Sequence, residues 1–146
     1  MTPALKAYAD RGVFRGFSAT PAVRGRIAYE FLWLTRRPIR AVFDSRASTL
    51  AFPALLPSLP ADAAHEVKAI VSRRGRGLPA HKRIDARKAR VAGAMRGGAF
   101  SLTVTVRGDN HAYAASHVLN LINELFLALQ ASHPAYLIEK FGFSTE

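Results

Sequence analysis

The clearest alternation of apolar and polar positions lies in AFSLTVTVR, residues 99–107. Phe100, Leu102, Val104 and Val106 fall on one side, and Ser101, Thr103, Thr105 and Arg107 on the other. A period of two with branched and aromatic residues predicts a strand with one buried face. RIAYEFLWL (26–34) repeats the pattern, with Ile27, Tyr29, Phe31 and Trp33 inward, and IRAVFD (39–44) follows through Ile39, Ala41 and Phe43. TLAF (49–52) reads as a third strand of an antiparallel meander, halted by Pro53. PALLPSLP (53–60) is too proline-rich for a regular element.

Helical spacing appears in three other places. Thr2 followed by Pro3 starts a helix that Gly12 ends, and 14–24 then read as a loop through Gly16, Ser18, Thr20 and Pro21. In ADAAHEVKAIVSRR (61–74), Ala63, Val67, Ile70 and Val71 share a side. The longest helix, 111–130, carries a seam of Ala115, Val118, Ile122, Leu125 and Leu129, and a short last helix runs from Pro134 to Gly142. RIDARKARVAGAM (83–95) reads as a strand whose inward parity changes midway. A bulge near Arg87–Lys88 reconciles the two halves, and so does a later strand start. Arg96-Gly97-Gly98 turns it into the strand at 99. The expected architecture is a single α+β domain over 1–146, in α-βββ-α-ββ-α order. Its antiparallel sheet of about five strands packs against helices on one face, with a short C-terminal helix added.

Charge changes this picture more than composition does. The chain carries a formal +11. From residue 109 onward Lys140 faces Asp109, Glu124, Glu139 and Glu146, so residues 1–108 hold twenty bases against six acids, a balance of +14. The densest run is RRGRGLPAHKRIDARKAR (73–90), where only Asp85 opposes the bases. Its candidates for binding an anion or nucleic acid are Arg73, Arg74, Arg76, Lys82, Arg83, Arg87, Lys88 and Arg90. Such a surface attracts phosphates by releasing counterions, without reading sequence. The same residues also serve as a solvated face, or as charges that deter stray strand pairing at a sheet edge. Aromatics that would stack on bases point into the core side of the best strand.

Most chemistry is absent from the pattern. The chain has no cysteine, which removes thiolate zinc sites and cysteine nucleophiles. His65-Glu66 lacks the second histidine of a zinc-protease helix, since Ala69 stands there. His117, Asn120 and Glu124 line up on one helical side but read as a polar stripe hydrogen-bonded in the fold or across a dimer. No catalytic residue, metal or cofactor is expected. An enzyme acting on a small anionic substrate ranks third among the functional readings. Residues 112–129 are apolar but hold His117, Asn120, Asn123 and Glu124, so they read as buried in protein. A location in the cytoplasm away from membranes is the expectation.

The succession of elements resembles the fold of type III secretion chaperones and YbjN-like bacterial proteins, across most of the chain and without a sequence motif. The resemblance implies a small dimer that binds an unfolded client segment and catalyses nothing. Leu119, Leu121, Phe126 and Leu127 spread apolar surface around the long helix, which makes them the interface candidates for a homodimer. A protein-interaction module is therefore the first functional expectation, and a protein with weak nucleic-acid binding through 73–90 the second.

Overall fold

The computed structural model describes residues 1–76 and 83–142. Its elements are α1 (Thr2–Asp10), β1 (Arg15–Val23), β2 (Arg26–Leu32), β3 (Ile39–Asp44), β4 (Thr49–Leu56), α2 (Ala61–Arg76), β5 (Ala89–Arg96), β6 (Ala99–Val106), α3 (His111–Ser132) and α4 (Pro134–Phe141). The fold is α+β, with the helices on one face of an antiparallel sheet. That sheet has six strands, in the order β1-β2-β3-β4-β6-β5.

The extra strand is β1, where Gly16, Ser18, Thr20 and Pro21 suggest a loop. It survives because it is an edge. Register shifts bracket its pairing with β2, and Gly16 takes φ +61°. A strand with one free side tolerates a proline and a bulge that a central strand does not. Strand β4 likewise runs through Pro53. A register shift between Phe52 and Leu56 opens there, Ala54 adopts φ +49°, and its N–H donates to the Ser101 Oγ at 2.9 Å instead of a ladder carbonyl.

No bulge is needed at Arg87–Lys88, because β5 starts at Ala89. Asp85 closes a turn ahead of it. Its carboxylate accepts the Arg87 N–H at 2.9 Å and its carbonyl accepts those of Lys88 and Ala89. Asp and Asn favour such turns over ladder pairing. The parity then holds, with Ala89 and Val91 toward the helices and Arg90, Ala92 and Arg96 away.

One side of the sheet supplies the core. Tyr29, Phe31, Phe52, Phe100 and Leu102 are fully buried there, and α3 covers them with nine buried side chains. Helix α3 is long and apolar enough, by length and composition, to cross a membrane. In the fold it lies instead across this core. The helix α4 closes the remaining side through Tyr136, Leu137 and Phe141, with the Phe141 ring edge-on to Phe126 at 5.1 Å. This corrects the expected interface. Leu119, Leu121 and Phe126 are packed inside the chain, and of the four candidates Leu127 alone is exposed.

Candidate functional site

Among the described residues, no helix lies on the opposite face of the sheet. Register places Ala28, Val42, Ala51, Thr103 and Ala92 in one row across five strands, so its middle is lined with small side chains. Arg15, Arg26, Arg40, Arg90 and Arg96 share this side, opposed by Glu30 and by Asp44, which accepts from the Arg26 Nε at 3.3 Å. No aromatic residue joins them among the described residues. A sheet face that stacks bases needs such rings.

Among the described residues, several cations of the basic run are held by partners within the chain. At the end of α2, Arg74 donates to Glu124 of α3, and Arg73 lies 3.9 Å from the same carboxylate. Arg87 closes on Asp85 of its own turn with Nε and Nη2. That contact, first, holds the Asp85 carboxyl below its ordinary value. Lys88 sits over the Tyr113 ring at 4.9 Å. Four of the eight candidates thus have partners within the chain. Arg83 is half-buried and Arg90 is exposed. Lys82 and the side chain of Arg76 lie outside the described residues.

A groove does form where α2 faces β5. Lys68, Val71 and Ser72 supply one wall and Val91, Ala92 and Gly93 the other, with Phe100 as floor, around a hollow of about 380 Å³. A second hollow of about 310 Å³ adjoins it, sharing Val71 and Val91 and adding Arg74, Ile84, Ala86, Ala89 and Arg90. Gly93 creates the floor: a Cβ there would stand 2.3 Å from Phe100 Cζ, so the ring occupies the space a side chain would take. Its lining mixes apolar and polar surface over the buried Phe100, and Lys68 and Arg90 are the exposed cations beside it. Only the basic rim was legible from sequence; the groove depends on where α2 crosses the sheet.

Two polar clusters remain. At the α3–α4 junction the His133 Nδ1 meets Ser132 Oγ at 2.9 Å and Nε2 meets Asp62 Oδ2 at 3.0 Å. The residue types are those of a nucleophilic triad, and their convergence was not visible in sequence. The arrangement is that of a clasp. Ser132 Oγ also contacts Glu66 Oε2 at 2.7 Å and the Ala128 carbonyl at 2.9 Å. It ties α2 to the start of α4.

The other cluster is the stripe on α3. Glu124 is taken by arginines, Asn120 is exposed, and the His117 ring tilts against Tyr113 at 4.3 Å. His117 Nδ1 is buried and has no hydrogen-bond partner. No group of three or more His, Asp or Glu stands ready for a metal among the described residues. Burial first, then the charges of Arg74 and Lys88, push the His117 pKa below its ordinary value of 6.5. The unfolded chain therefore takes up this proton before the fold does. The stability this group contributes is fully present above pH 6.5 and falls as the pH drops through and below that value. Melting curves at stepped pH should show this decline, and His117→Gln should flatten it. A slope unchanged in that variant would assign the dependence to His111, whose pKa burial also lowers.

With this geometry in view, no family model, curated protein or solved structure matches the chain. The observed α-ββββ-α-ββ-αα order adds one strand, β1, to the expected succession.

Proposed function

We propose that the chain is a non-enzymatic interaction module that holds an acidic, partly apolar segment of another protein in the groove between α2 and β5. The observation that carries this reading is the hollow between α2 and β5, where the apolar side chains of Val71 and Val91 meet the exposed cations Lys68 and Arg90. Apolar burial supplies affinity at about 25 cal/mol per Å² removed from water. The surrounding positive charge speeds encounter and selects against basic partners.

The arginines on the open sheet face favour a second reading, in which phosphate backbones bind there without base contacts. Salt separates the two. Fluorescence anisotropy should show an acidic peptide with alternating valines keeping most of its affinity between about 50 and 200 mM salt. A single-stranded oligonucleotide that contacts six or more phosphates should lose roughly 10³-fold over that range. Lys68→Glu with Arg90→Glu should weaken the peptide by at least about tenfold, or 1.4 kcal/mol. An oligonucleotide that binds more tightly than the peptide at the higher salt, or a peptide indifferent to the double variant, would overturn the reading.

A further inference from the structure

The outer edge of β5 offers more than a wall. In the ladder the Arg107 N–H donates to the Lys88 carbonyl, and the pairing continues without a shift to Arg96 opposite Ala99. Antiparallel strands alternate residues that bond one neighbour with residues that face away. Even-numbered residues of β5 therefore bond β6, while the N–H and C=O groups of Val91, Gly93 and Met95 point outward along the edge. Nothing among the described residues pairs with them. The other edge differs: β1 is interrupted by register shifts at both ends and carries Pro21. Edges are ordinarily blunted by such bulges, prolines or central charges, and the middle of β5, Val91-Ala92-Gly93-Ala94, has none of them.

We infer that β5 accepts an extended acidic peptide as a seventh strand. This rests on the acidic-client reading and specifies its mode. An added strand would satisfy the outward groups of Val91, Gly93 and Met95 by backbone pairing, as in other cases of strand addition. Its alternate side chains would enter the hollow bounded by Lys68, Val71 and Phe100. The remaining side chains would lie on the open face, beside Arg90 and Arg96. Those two arginines sit on one side of the strand, six positions apart, at either end of an uncharged stretch. Acidic residues at the matching separation in the guest complement both. A second copy of β5 fits poorly, because two-fold pairing about Gly93 sets Arg90 of each copy opposite Arg96 of the other. Like charges directly opposed in a ladder are unfavourable.

The test uses the whole chain and a labelled peptide of about ten residues, near the length of a long strand. It alternates valine with threonine and carries glutamate at two threonine positions six apart. Three further versions replace both glutamates by lysine, scramble the order, or N-methylate the alternate amides that would face β5. The parent peptide is expected to bind, and the lysine, scrambled and N-methylated versions to lose at least about tenfold. Arg90→Glu with Arg96→Glu should invert the preference toward the lysine version, a rescue that an unfolded variant cannot give. Hydrogen exchange should show the amides of Val91, Gly93 and Met95 protected by the parent peptide. If all acidic versions bind alike and these amides stay unprotected, strand addition is wrong while the acidic-client reading stands. If no acidic version binds, both fall.

Discussion

Replacing Phe126 by alanine is expected to cost the fold about 3–5 kcal/mol, the range for removing a buried phenyl ring from a core. Phe126 is 2% exposed, and its ring meets Phe141 edge-on. The cavity would open between α3 and α4, and a helix of eight residues has little stability of its own to resist. At about 2–4 °C of melting temperature per kcal/mol for a chain near this size, the shift should approach 10 °C or more. Calorimetry or denaturant titration measures it directly. Leu127→Ala, one residue away and exposed, should stay within about 0.5 kcal/mol. Equal effects at the two positions would mean that the helix faces are assigned wrongly. A Leu127 effect that grows with protein concentration would point to self-association through this helix.

The second large effect is expected at Gly93. Valine there would place Cβ 2.3 Å from Phe100 Cζ, nearer than any real contact, so one of the two must move. Phe100 is fully buried and cannot swing into solvent. Overpacking of this sort costs about 1–3 kcal/mol, and a branched side chain belongs at the upper end. Elsewhere on an exposed edge strand the same change would stabilise, because valine is the better strand former. The sign of the change is therefore diagnostic. Gly93→Val combined with Phe100→Ala should recover part of the loss relative to the sum of the single changes, read as coupling in a double-mutant cycle. Simple additivity would show that the ring does not lie beneath the glycine.

Periodicity exposed the buried sides of β2, β3 and β6, since Tyr29, Phe31, Phe43, Phe100 and Leu102 alternate with polar neighbours. It failed at β1 and in the second half of β4. There glycine, serine and proline imitate a loop, and the fold accommodates them by an edge position and a bulge. The start of β5 was misplaced for a related reason: Asp85 makes a turn from its own side chain, which apolar spacing cannot register. Helix α3 misled in another way. Its apolar residues circle most of the cylinder, and whether Leu119, Leu121 and Phe126 face a second copy or α4 depends on where the chain returns after Pro134. The basic residues of 73–90 were visible at once. Their pairing with Glu124, Asp85 and Tyr113 was not, because those partners are either distant in sequence or arranged by a local turn.

The seam between β4 and β6 has a kinetic corollary. Strands β1 to β4 join through short neighbouring turns, as do β5 and β6, whereas β4 meets β6 only after the chain has travelled through α2 and β5. Of the junctions within the sheet this one closes the longest loop, so uniting the early ribbon with the late hairpin is expected to set the refolding rate. Substitutions at Leu50 and Val104, which face each other across the join, should then slow refolding more than they hasten unfolding.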